Sequence, residues 1–410
     1  MTTMRAAVMA LTICVSGCGR EAPPVPSTHA IRSDTFGEDV SFLKQHTDVI
    51  VLSSADGRAQ IAIAPGYQGR VMTSTSSGAD GMSYGYLHRP VITQGTRQPH
   101  MTVLGGEDRF WLGPEGGQFA LYFPKGAAFD TEHWQVPEPI DWGTWPVTAQ
   151  TATTVTFAQP MSVTNYAGTT FTLVVDRTIR LLDRAAVGAA LGVTPGDGVS
   201  VVAYESDNQI TNTGTNTWRK ETGLVSIWIL GMMRPAPRTT IVVPYISGPV
   251  STLGPVVNDA YFGAPPPDRL RITDQAILFR GDGRQRGKIG VPQARARNVA
   301  GSYDPDSHVL TLKQFTVPAT APAGYVNSMW ALQANPYGGD VVNSYNDGPL
   351  GEGQPPLGPF YEIESSSPAA ALAPKQSMQH VHRTMHLQGS EAELEAVTKA
   401  VLGVSLADIK

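Results

Sequence analysis

The stretch that decides the fold runs from Tyr361 to Gly389, YEIESSSPAAALAPKQSMQHVHRTMHLQG. Side chains alternate across a strand, so Glu362 and Glu364 share one face of the first extended run. In the second run His380, His382 and His386 share one face as well, and they are three of the nine histidines in the chain. Ala373-Pro374-Lys375-Gln376 lies between the two runs. Two such runs predict antiparallel neighbours that set a carboxylate against imidazoles. That pairing suits general acid/base chemistry, because histidine titrates near neutrality and a glutamate tunes it. Three neutral imidazoles also suit a divalent metal, which makes His380, His382 and His386 an alternative ligand set.

Working outward, the same short period recurs along the chain. Val49–Leu52, Gln60–Ala64, Arg70–Ser74, Thr153–Phe157, Thr169–Leu182, Val199–Asn212 and Val225–Leu230 read as strands with Gly and Asp at the corners. Thr239–Ile246, Ala276–Phe279, Val309–Gln314, Met329–Gln333 and Phe360–Glu364 continue the pattern. Helical periodicity is confined to a short piece at Asp39–His46 and to a C-terminal helix. Ser390 and Glu393 form a capping-box pair there, and Leu394, Val397 and Val401 form an apolar stripe. The expected fold is all-β: one large antiparallel β-supersandwich with a short C-terminal helix. Two β domains divided near residue 240 are the rival arrangement.

Composition narrows the function classes. The 410 residues include 42 Gly and 32 Pro, a share that suits many turns between strands. The net charge of -5 argues against a nucleic-acid partner, which needs a basic face. Both cysteines, Cys14 and Cys18, fall in the first 18 residues, so the body has neither a disulfide framework nor a thiolate metal site. One Arg and an apolar run from Ala6 to Val15 read as a secretion signal, too short to span a membrane. Val15-Ser16-Gly17-Cys18 resembles a bacterial lipobox, which implies cleavage before Cys18 and lipid attachment to it. Residues 1–18 are then a lipoprotein signal peptide, 19–33 a Pro-rich tether and 34–410 the folded body. Gly19 after the cysteine favours the outer membrane of a Gram-negative envelope, by the same resemblance.

Three further segments carry polar chemistry. In Gly105–Gly117 (GGEDRFWLGPEGG), Glu107, Arg109 and Trp111 share one face of a strand, with Glu115 close behind. A carboxylate, a guanidinium and an indole together suit a sugar: the charges bond hydroxyls and the ring stacks on a C–H face. A structural ion pair beside a core tryptophan is the plainer alternative. In Tyr204–Gly214 polar residues occupy both faces, which predicts an edge strand or a cleft. Asn335–Pro349 contains Asp340, Asn343, Asn346 and Asp347 among turn formers, and reads either as a plain turn or as a loop whose oxygens bind sugar or calcium, without the spacing of an EF-hand.

Three stretches are similar to the galactose mutarotase-like superfamily, the aldose 1-epimerases and their relatives. They are GGEDRFWLGPEGGQFALYF (Gly105–Phe123), ESDNQITNTG (Glu205–Gly214) and Tyr361–Gly389. The resemblance implies a β-supersandwich and a catalytic glutamate that ends a late strand. Glu364 matches that position, with Glu362 second. The superfamily's Asn-Arg motif and its central His motif are missing. The expected protein is therefore a sugar-binding, surface-anchored lipoprotein that moves protons with Glu364 and with His382 or His380. Glu107, Arg109, Trp111, Glu115, Asn346, Asp347 and Glu362 would contact the substrate, and no cofactor is required. The alternatives are a non-catalytic glycan-binding lipoprotein of an uptake system and a divalent-metal enzyme built on the histidine run.

Overall fold

The computed structural model describes Asp34–Lys410. The expected signal, tether and Cys18 lie outside the described residues. Every pairing between the named strands is antiparallel. The ten-stranded sheet has in its middle Val309–Phe315, Ser377–Gln388, Ser200–Asn212 and Thr170–Leu182, side by side in that order. The six-stranded sheet runs Gly287–Pro292, Asp340–Asn346, Tyr361–Ser366, Ser226–Leu230 and Arg109–Gly113, with the short Met232–Met233 also paired to Tyr361–Ser366. A smaller three-stranded sheet holds Ile50–Ser53, Gln60–Ala64 and Arg70–Thr75.

The two large sheets pack face to face through alternate residues of each strand. Ile241, Ile277 and Phe279 meet Ile289, Val291, Tyr361 and Ile363 in one such layer. Each fully buried aliphatic or aromatic side chain contributes roughly 1.5–3 kcal/mol, so this layer holds the sheets together. The outer face of the ten-stranded sheet is covered by the helices Arg184–Leu191 and Glu391–Leu402. Ala203, Met385 and Leu387 pack there with Val187, Leu394 and Val397.

Several expectations change. The strand Thr240–Pro244 pairs with Ala276–Arg280 and Val299–Asp304 inside the large sheet, so no domain boundary falls near residue 240. The first helix spans Phe36–Leu43 rather than Asp39–His46, because Thr35 and Glu38 close a capping box at its start. Met329–Gln333 is a loop. Tyr204–Asn212 lies in a central strand rather than at an edge, its inward polar groups being matched by buried partners. Asp340–Asn346 is a fully buried strand, not a loop. Among the described residues no helix is long and apolar enough to cross a membrane.

The two segments that opened the sequence reading are not neighbours. Tyr361–Ser366 belongs to the six-stranded sheet and Ser377–Gln388 to the ten-stranded one. They meet across the sandwich interior, where the Ser365 hydroxyl lies 2.8 Å from both His380 Nε2 and His382 Nδ1.

A candidate carbohydrate pocket on the six-stranded sheet

Strand alternation divides the polar residues between two places. On the interior side, Ser365 faces the histidines. On the opposite side, Glu362 and Glu364 rise with Arg109, Trp111, Trp228 and Lys288, all contributed by strands of the six-stranded sheet. Register sets them side by side: Trp111 is opposite Trp228, and Glu362 is opposite Tyr345, itself opposite Lys288. Loops then wall in a cavity of about 130 Å³. Glu115 enters from the turn after Arg109–Gly113. A Cβ on Gly116 would sit 2.4 Å from the Met329 carbonyl oxygen, so only glycine lets that turn close against the loop carrying Trp330.

The cavity has an aromatic wall and a charged floor. Trp111 and Trp228 meet edge to face at 5.5 Å, and Trp134 stacks on Trp330 at 5.9 Å. Arg109 lies 4.2 Å above the Trp111 ring and donates to Glu362 at 2.8 Å. Lys288 sits 3.4 Å from Glu364 and 3.9 Å from Glu115. Glu362 and Glu115 line the cavity. Glu364 stands behind them, accepting the Trp228 indole N–H at 2.9 Å.

Electrostatics separate these groups. Burial pushes the Glu362 carboxyl up to about 7, with Arg109 opposing and Glu364 reinforcing the rise. Burial also raises Glu115, against the pull of Lys288. For Lys288 burial acts downward, yet Glu364, Glu115 and Glu362 hold the ammonium above the usual lysine range. The site thus sets Glu362, pushed up to about 7, and the raised carboxyl of Glu115 around a fixed cation.

The remaining expected residues go elsewhere. Glu107 is fully buried between the sheets, bonded to Ser74, Tyr204 and His386 rather than sharing the Arg109 and Trp111 face. It precedes the strand that alternation was meant to extend through it. Burial pushes His380 down to about 3 and His382 well below the ordinary histidine range. Both imidazoles are therefore neutral, and both lie on the far side of the sheet from Glu362. His386 bonds Glu107 and Thr311, away from that pair. Among the described residues no group of three or more His, Cys, Asp or Glu side chains is placed to hold a metal. Asn346 ties loops through Gln285 and Gly283. Asp347 accepts from Tyr345 and from the Gly358 amide, and burial raises it to about 6.

Sequence reasoning missed Lys288, Trp228, Arg286, Trp134 and Trp330. One signal was present: four of the seven tryptophans, Trp111, Trp134, Trp228 and Trp330, gather here. Lys288 stands in GKIGVP, where neither charge pattern nor spacing marks it.

Residues 34–410 match the profile of a family described as a family of unknown function, DUF6786. The chain belongs to that family. No curated protein matches this DUF6786 chain. Among solved structures, the Slr1438 protein from Synechocystis sp. PCC 6803 is similar at a TM-score of 0.50 and 11% identity, over 84% of this chain and 96% of that one. A putative aldose 1-epimerase from Escherichia coli K12 is similar at a TM-score of 0.50 and 10% identity, over 84% of this chain and 99% of that one. These likenesses establish the fold alone: the DUF6786 body shares the architecture of these two proteins.

Proposed function

We propose that this DUF6786 protein is a carbohydrate-active enzyme of the aldose 1-epimerase kind, acting on a sugar held in the aromatic pocket. The observation that carries the reading is the pair Glu362 and Glu115: two buried carboxyls with raised pKa values inside one cavity. Groups poised near the working pH are what proton transfer needs. The ionised Glu362 removes the proton from the anomeric hydroxyl. The exocyclic C–O bond becomes a carbonyl, the bond from that carbon to the ring oxygen breaks, and Glu115 in its acid form gives the ring oxygen a proton. Rotation about the freed carbon and the reverse transfers close the ring as the other anomer. Trp111 stacks on the sugar, Arg109 orients Glu362, and Glu364 is a positioning residue that holds Trp228 and Lys288. The reaction needs no cofactor.

The test is to follow anomer interconversion by polarimetry, starting from pure α-anomers of common aldoses. Exchange faster than the buffer rate supports the reading. Binding without exchange would make the protein a glycan receptor. A histidine role is separated by His382→Leu: its sugar affinity and turnover are expected to match the parent protein while its melting temperature falls. Loss of turnover in a folded His382→Leu protein would restore the histidine to the chemistry.

The protein is further proposed to be tethered to the outer membrane through a lipid on Cys18. Cys18→Ala is expected to shift it from the detergent-extracted membrane fraction to the soluble envelope fraction. Mass spectrometry of the mature N-terminus checks the modification directly.

A further inference from the structure

Buried polar atoms without partners record what a ligand must supply. Around the pocket four such atoms are donors: Arg109 Nε, Trp111 Nε1, Trp134 Nε1 and Arg286 Nε. Indole and guanidinium N–H groups cannot accept. On the acceptor side, one unpartnered atom is found beside them, Glu364 Oε1, behind the cavity floor. The complementary ligand is therefore richer in acceptors than a neutral sugar, whose hydroxyls offer a donor with each acceptor.

Charge points the same way. Arg109 is matched by Glu362 at 2.8 Å, and Lys288 is shared by Glu364 and Glu115. Arg286 also lines the cavity and bonds the Tyr345 hydroxyl, and among the described residues it forms no ion pair with a carboxylate. Its guanidinium carbon lies 3.7 Å from the centre of the Phe262 ring, a cation–π contact that holds the group at the cavity wall. A guanidinium fork matches a carboxylate with two parallel hydrogen bonds. Arg286 is the one of the three pocket cations that no ion pair occupies, so it is where a ligand's negative charge is received. A phosphate would bring nearly two negative charges into a pocket that already holds three carboxyls.

We propose that the pocket selects a uronic acid, with Arg286 receiving the sugar carboxylate and Trp111 and Trp134 donating to its remaining acceptors. This inference rests on the sugar-binding reading above and names its substrate class.

The experiment measures affinity by calorimetry for D-glucuronate and D-galacturonate, against D-glucose, D-galactose and glucose 6-phosphate. The uronates are expected to bind most tightly. Removing a hydrogen-bonded charge costs about 10- to 100-fold in affinity, so Arg286→Gln is expected to lose that much for uronates and much less for neutral sugars. Arg286→Lys keeps the charge without the fork and should fall between, and matching melting temperatures confirm that both variants fold. Neutral sugars binding as tightly as uronates, or Arg286→Gln weakening both alike, overturns the uronate assignment but leaves the sugar site standing. Tighter binding of the phosphate overturns it in favour of a sugar phosphate. Failure of every sugar to bind overturns both readings.

Discussion

Glu362→Gln is expected to slow anomer interconversion about 10²- to 10⁴-fold, the range over which a positioned general acid or base acts. Glutamine fills the same space and still accepts from Arg109, so sugar affinity and fold should survive. Affinity falling in step with turnover would instead make Glu362 a binding group. The pH profile gives a second readout. Glu362 works in its ionised form and titrates at about 7, so the rate should rise as pH rises through that value. Stability runs the other way. Its folded pKa lies above the ordinary value of 4.5, so the native state binds the extra proton between the two values. The stabilisation is fully present below 4.5 and is lost as pH rises through about 7. Glutamine should flatten both dependences, which chemical denaturation and rate measurements across that window can check.

Arg177→Leu is expected to destabilise the protein by about 3–5 kcal/mol, the cost of stranding a buried charge. Arg177 is fully buried, 2.5 Å from Asp108, and it also donates to Asn208 at 2.5 Å. Asp108 keeps only the Ser206 hydroxyl among its side-chain donors when the guanidinium goes. Changing Asp108 to Leu as well should recover most of the loss, because a pair replaced together leaves no unmatched charge. Urea titration of the single and double variants decides the matter. Equal destabilisation in both would mean that the network matters through packing rather than charge.

The strand period carried most of the fold, because burial on alternate faces writes itself into sequence with a period of two. It placed Glu362 with Glu364, and His380 with His382, on common faces. It did not reveal that the two faces turn away from each other, since sequence proximity cannot tell a hairpin from a crossover between sheets. Asp340–Asn346 escaped for another reason. Its polar residues read as turn formers, yet Asp340 is satisfied by Asn258 and Tyr261, and Asn343 by Tyr261 and Ile289. Such partners lie 54 to 82 positions away and leave no local trace. The site was legible where it sat on the strand Arg109–Gly113 and in Glu115, and illegible where Lys288, Trp134 and Trp330 arrive from distant segments.

The opposite loads on the two sides of Tyr361–Ser366 bear on how the chain finds its pairing. A slip of one residue would drive Glu362 and Glu364 into the apolar layer and turn Ile363 and Ser365 out to the cavity. Two unmatched carboxylates in that layer would cost far more than any mispaired ladder returns. The residues that serve the pocket thus also act as a proofreading device for assembly, and variants that neutralise both glutamates should fold with less fidelity even where they remain soluble.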